Sequence, residues 1–205
     1  MTGWLSAGRL RWLLVLVLAG IGLWQFGSDR ETYWRPGVLA AEPPAQTQLM
    51  PQTLAAPGGF QLTTRADFTA RVRILGIERY RFDSLAAVAP LDFAVGWGAM
   101  SDTAVLDRLR ISQGARYYFW YAAHLPAPID EISSHSANWH LIPANRAQRR
   151  TLSGLHVGDV VTLRGRLVDV TGPSGVARTS LTREDTGAGA CEILYVEAVE
   201  RHYQP

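Results

Sequence analysis

The chain has 205 residues, 47% of them hydrophobic and 19% charged, the composition of one ordinary globular domain with room for an appendage. All twenty basic residues are arginine and Cys191 is the single cysteine; this excludes P-loop and Schiff-base lysine chemistry, an intrachain disulfide framework, cysteine-held zinc or iron–sulfur clusters, and haem attached through paired cysteines. The net charge of +2 comes from Arg9 and Arg11, because residues 29–205 hold 18 arginines and 18 acids; nucleic-acid binding, which needs an excess of cations to displace counterions, is not implied.

Residues 12–28, WLLVLVLAGIGLWQFGS, are uncharged. As a helix they rise roughly 25 Å against a bilayer core of about 30 Å, a gap that Leu10 and the flanking residues close. Arg9 and Arg11 precede the run, whereas Asp29, Arg30 and Glu31 follow it with a net negative charge. The positive-inside rule then keeps residues 1–11 in the cytoplasm and exports the rest. Trp4 and Trp12 on one side, and Trp24 and Trp34 on the other, fall where amphipathic rings favour the two interfaces.

A cleaved secretory signal has a similar start, but small residues soon after the apolar run are missing: Leu23, Trp24, Gln25 and Phe26 stand there. The reading adopted is an uncleaved signal anchor at residues 12–28, single-pass in a bacterial inner membrane. A buried helix of a cytosolic protein fits less well, since the run is apolar all round. Residues 29–59, with Pro36, Pro43, Pro44, Pro51 and Pro57, read as a Pro/Gly-rich linker from which only Met50 and Leu54 would dock.

Residues 60–205 read as an extracytoplasmic β-rich domain. Positions 68–82 alternate, with Phe68, Ala70, Val72 and Ile74 on an inner row and Arg71, Arg73, Arg79 and Arg81 on an outer one. Glu78 interrupts the inner row, and Gly76 permits a bend or bulge. Helices are expected over 102–111, capped by Asp102, and over 145–155, capped by Asn145. Residues 116–122 form an aromatic strand, apolar on both faces and read as core. Gly96-Trp97-Gly98 reads as a tight turn with a packed tryptophan. Further strands are expected over 160–170, after a Gly158-Asp159 turn, and over 191–199. The expected fold is α+β: a small OB-like barrel or curved sheet with two short helical insertions, because a turn, a bent strand and a helix between strands are what an oligonucleotide/oligosaccharide-binding barrel requires.

The segments VGWGAMSD, HSANWHLIPA and SLTREDTGAGACE resemble those of a group of bacterial proteins with an amino-terminal anchor and no established activity. That resemblance implies no catalytic residue.

Three stretches bear chemistry. His135, Asn138 and His140 lie in an expected loop, where His135 and His140 would ligate a metal only if a turn brought them together, with Asp130, Glu131 or His124 as a third ligand. Arg183 adjoins Glu184 and Asp185, which could act as a carboxylate pair, before the turn Thr186 to Ala190 that could hold an anion through its amides. Cys191 would be a nucleophile only as an activated thiolate beside a base such as His140. Each stretch has a plainer reading: a hydrogen-bonded loop, a glycine turn and a buried thiol. The function expected is a membrane-anchored binding or interaction domain without cofactor, an accessory of a cell-envelope assembly with an envelope protein as partner. The alternative is a metal-assisted hydrolase of an envelope polymer or phosphoester, with His135 and His140 as ligands and Glu184 or Asp185 as base.

Overall fold

The computed structural model describes residues 31–185 and 189–203. The chain divides into Met1–Glu31 and Thr32–Pro205, and every element below belongs to the second unit. The expected anchor lies outside the described residues, and no helix among the described residues is long and apolar enough to cross a membrane.

The expected linker is corrected from Thr32 onward, because it lies against the β-rich unit. The Trp34 indole N–H donates to the Gly158 carbonyl at 2.8 Å, and the Ser101 hydroxyl accepts from the Leu39 and Ala40 amides at 3.1 Å. Strands β1 (Ala45–Gln48) and β2 (Thr53–Ala55) both pair antiparallel with β3 (Gln61–Arg79). Prolines forbid long elements here but leave room for short edge strands, where a missing donor faces no partner. Met50 stays 84% exposed, whereas Leu54 docks as expected, against Phe60 and its neighbours.

Alternation makes β3 a strand that is buried on one face: the even positions from Leu62 to Val72 are all buried. Register shifts between Thr64 and Ala66, and again between Ile74 and Gly76, bend it so that it serves two neighbours. One expectation is corrected where residues 101–103 cover the outer row. Arg73 belongs to the expected outer row yet is buried, donating to the Ser101 carbonyl at 3.2 Å and to Thr103 Oγ1 at 2.7 Å, as a buried cation must.

The remaining long strands are β4 (Leu91–Gly96), β7 (Ser136–Pro143), β8 (Val160–Gly172) and β10 (Glu192–His202). β3 pairs antiparallel with β4 and with β8; β4 pairs antiparallel with β7; β7 runs parallel to β10; and β10 pairs antiparallel with β8. β9 (Gly175–Ala177) extends β8 as a short hairpin. The result is a curved, mixed sheet with short helices. Its inner rows supply one core, in which Phe68, Phe93, Trp139, Leu163 and Leu194 are fully enclosed. Phe68 meets Trp139 edge-on at 5.2 Å, and Trp97 stacks on Trp139 at 6.4 Å.

Helix α3 (Arg146–Ser153) joins β7 to β8 where a helix is expected, with Asn145 accepting from the Gln148 amide at 3.0 Å. The helix expected over 102–111 is shorter. Asp102 does cap it, accepting from the Ala104 amide at 2.8 Å, but α1 spans only Thr103–Leu106. The chain after it enters β5 (Arg110–Gly114), which pairs with β6 (Tyr117–Tyr121) as a separate hairpin. That pairing corrects the reading of the aromatic strand as core: Tyr117, Phe119 and Tyr121 are 40%, 58% and 63% exposed, while Tyr118 and Trp120 pack inward. Below them lie Leu75, Ala94, Met100 and Ile132, the last from α2 (Ile129–Ser134).

Candidate functional site

The site is built on the outer rows of β4 and β7. In both strands the odd positions enter the core, so the even ones face the β5–β6 hairpin, and the register sets Asp92 opposite His140 and Ala94 opposite Asn138. Asp92 is fully buried. Its Oδ1 accepts from Arg116 Nη1 at 2.7 Å and its Oδ2 from Asn138 Nδ2 at 3.1 Å; His140 Nδ1 lies 2.9 Å from the same Oδ2, off the line of a hydrogen bond. Asn138 also donates to the Arg116 carbonyl at 3.0 Å and accepts from Gln113 Nε2 at 2.8 Å.

Arg116 occupies the two-residue turn between β5 and β6, where Ala115 and Arg116 have φ of 50° and 70°. Both positions are of the kind that glycine or asparagine ordinarily fills in such hairpins. The side chain holds the turn in place. Its guanidinium grips Asp83 through Nε at 2.9 Å and Nη2 at 2.7 Å, donates to the Ala89 carbonyl at 2.9 Å, and stacks 3.8 Å above the Tyr80 ring. The Arg116 amide donates to Tyr80 Oη at 2.9 Å. The turn end of the hairpin is thereby fixed to the sheet, and one pair further along β6 the Tyr118 hydroxyl meets that of Ser136.

Between the hairpin, the start of β7 and the chain entering β10 lies a cavity of about 300 Å³. Trp97, Tyr117, Tyr118, Phe119 and Trp120 give it flat apolar walls, and Asn138, Arg183, Asp185, Cys191 and Glu192 give it polar ones. Glu192 continues the inner row of β10 that holds Leu194 and Val196, which places a carboxylate at the end of the apolar core, 1% exposed, in register with Trp139. Arg183 meets it there: Nη1 lies 3.0 Å from Glu192 Oε1, and the guanidinium sits 5.4 Å from the Phe68 ring.

The pair is poorly satisfied. Among the described residues the Arg183 nitrogens have no hydrogen-bond partner, nor has Glu192 Oε2. Burial pushes the Glu192 carboxyl up to about 7 against the pull of Arg183, and the same burial lowers Arg183. Desolvation thus exceeds the attraction between the two charges.

The residues singled out from the sequence part company. The expected loop at 135–144 is a helix end followed by a strand, so His135 and His140 do not converge. His135 caps α2 with Nδ1 2.7 Å from the Glu131 carbonyl and packs beside Trp97, whereas His140 turns to Asp92 on the sheet. No group of three or more His, Cys, Asp or Glu side chains with metal-holding geometry occurs among the described residues. Glu184 is exposed, and Asp185 Oδ2 accepts from the Ser180 hydroxyl at 2.8 Å, so the two make no acid–base pair with either histidine. Residues 186–188 of the glycine turn lie outside the described residues.

Cys191 lines the cavity, but burial and then the charges of Glu192 and Asp92 push its thiol up to about 12, the reverse of an activated nucleophile. The structure therefore brings together Asn138, Arg183, Asp185 and Cys191 of the expected set. It adds Asp92, Arg116, Glu192 and the aromatic hairpin, which sequence reasoning missed. The signal for Asp92 and Glu192 was present, as acids within apolar runs of strand character, LDFAVG and CEILYV. No protein-family model, curated protein or solved structure matches the chain.

Proposed function

We propose that this chain is a membrane-anchored, extracytoplasmic binding domain, an accessory of a cell-envelope assembly, whose seat for a ligand or partner is the cavity beneath the β5–β6 hairpin. The observation that carries the reading is the composition of that cavity: flat aromatic walls, a few convergent polar groups, and a buried Arg183–Glu192 pair with hydrogen-bonding capacity left unused. Its thiol meets the Arg116 carbonyl, and neither His135 nor His140 lines it to serve as a base for nucleophilic work. The anchor and the export of the domain rest on the apolar run at residues 12–28 and on the arginines before it.

The fold we infer is a small OB-type barrel. Supporting it are the strand pairings, which run β3–β4–β7–β10–β8 and return to β3 with β7 and β10 parallel, and the helix α3 between β7 and β8, the third and fourth of these strands in chain order. In such barrels ligands meet the second and third strands and the connection between the fourth and fifth. Here those parts are β4, β7 and the chain from β8 to β10, of which β7, the chain entering β10 and Trp97 just after β4 line the cavity. The likeness bears on where binding occurs and not on what is bound.

The test is native mass spectrometry of the full chain, extracted in mild detergent at its native level of expression. The expected result is a stoichiometric added mass, small molecule or protein, that Arg183→Met and the exposed wall variant Phe119→Ala both lose. A bare chain, or an added mass that survives both substitutions, overturns the reading.

A further inference from the structure

We propose that an extended segment of a protein partner pairs with the free edge of β6, as an added strand whose apolar side chains enter the cavity. The inference rests on the binding reading above and names the chemistry of what that site takes. β6 pairs with β5 and, among the described residues, with no other strand. The two-residue turn makes Gly114 and Tyr117 a hydrogen-bonded pair. The alternation of the ladder then commits Tyr117, Phe119 and Tyr121 to β5 and turns the backbone groups of Tyr118 and Trp120 to the opposite edge. The Arg116 carbonyl, one period earlier, marks where that edge faces. It accepts from Asn138 Nδ2 at 3.0 Å and lies 3.8 Å from Cys191 Sγ, and both of these residues line the cavity. Beyond Arg116 the partners stop: among the described residues no backbone group bonds the amide or carbonyl of Tyr118 or Trp120 from this side.

The cavity runs along that edge. Four consecutive residues, Tyr117 to Trp120, line it, and no residue of β5 does. Side chains of a strand alternate between its faces, so consecutive residues share a cavity only where the edge of the strand borders it.

What fits there has the repeat of the edge itself. Tyr118 and Trp120 each offer one donor and one acceptor, about 6.8 Å apart along the strand, and an extended polypeptide carries matching groups at that interval. A lipid chain carries neither. Residues 117–123, YYFWYAA, hold no charge and no proline, the devices that ordinarily guard an edge, so the segment they take is uncharged where it crosses β6. A second copy is the poorer occupant. A standard interface engages about 20–30 residues a side. β6 has five, and Arg183, Cys191 and Glu192 face it across a cavity of about 300 Å³, room for a short stretch of one strand rather than for another hairpin.

Hydrogen exchange of the full chain in mild detergent, read residue by residue by NMR, tests this with three probes: a capped heptapeptide of alternating threonine and valine, the same peptide N-methylated at every residue, and acetyl-valine amide. Without peptide, the Tyr118 and Trp120 amides should exchange at least a hundredfold faster than that of Phe119, which is bonded to β5. The heptapeptide should slow both at least tenfold, saturably, and leave Phe119 unchanged; the other two probes should slow neither. Phe119→Ala, at a residue 58% exposed, should weaken the heptapeptide at least threefold. Amides of Tyr118 and Trp120 that are already slow in the dilute chain, or a heptapeptide that protects neither, overturn the proposal. Slowing that grows with protein concentration alone assigns the edge to a second copy and overturns it too. If the added mass in the native spectrum is still lost in Arg183→Met and Phe119→Ala, the binding reading stands without this class of partner; if no such mass exists, both fall.

Discussion

Arg116 ties the hairpin to the sheet through Asp83, Ala89 and Asp92 at once, and the Asp92 carboxylate it meets has no access to water. Replacing it by methionine keeps the stem and removes the charge, which leaves Asp92 buried with the Asn138 amide and the His140 ring as its neighbours. Breaking a buried pair in this way costs about 3–5 kcal/mol. Thermal unfolding of the full chain should show that loss in Arg116→Met, and Arg116→Lys should recover little of it, because an ammonium cannot grip Asp83 and Asp92 with one planar fork. A variant as stable as the parent would mean that the network carries no net stability. At this scale Asp92 and Glu192 stand in the sequence as acids inside apolar runs, a signal that the reading of the sequence passed over, and nothing local names their partners. Arg116 lies 24 residues from Asp92, and only the pairing of β4 with β7 beneath the hairpin brings them together.

Among the elements, the β5–β6 hairpin departs furthest from what its sequence suggested. Five aromatic residues in a row read as core, yet the strand pairs only with β5 and turns Tyr117, Phe119 and Tyr121 outward. Its turn explains why: Ala115 and Arg116 replace the glycine or asparagine by which a two-residue hairpin is recognised. The left-handed conformation costs alanine about 1–2 kcal/mol. Ala115→Gly should therefore raise the stability of the full chain by about 0.5–1 kcal/mol, the relief of strain outweighing the added freedom of the unfolded chain. Denaturant unfolding checks it, and a loss of stability would show that the turn is not strained. By contrast β3, β8 and α3 were legible, because alternation and a cap residue are local signals. β1, β2 and the ordering of residues 32–59 were not: a Pro-rich segment carries no period, and its docking depends on a surface assembled elsewhere.

For the whole molecule, Glu192 links folding to pH. Its carboxyl stands at about 7 in the folded chain against an ordinary 4.5, raised by burial and by Asp185 despite the pull of Arg183. A raised acid stabilises the folded state fully below 4.5 and loses that contribution as pH rises through about 7. Asp83 acts elsewhere. Burial opposes its ionisation, but Arg116 holds it below its ordinary 3.8, so its contribution is present above 3.8 and disappears only in stronger acid. Between pH 5 and 8 the full chain should therefore lose on the order of 2 kcal/mol, visible as a falling melting temperature, and Glu192→Gln should flatten the slope. A parent chain whose melting temperature is level across that range would refute the assignment.

The sequence by itself determined what local chemistry determines: the exclusion of lysine and paired-cysteine chemistry, a β-rich class, the alternation of β3, the caps at Asp102 and Asn145, and the glycines where strands must bend or approach. Gly76 is of that kind, read as the place for a bend and found at a register shift in β3. Tertiary structure alone decided which residues meet. It parted His135 from His140, since residues an odd number apart along a helix end and strand leave on different faces, and it set Arg183 on Glu192 by joining the chain after β9 to the first residue of β10. The reason is physical: period and capping are properties of neighbours in the chain, whereas a cavity and its charges exist only once strands far apart in sequence share a sheet.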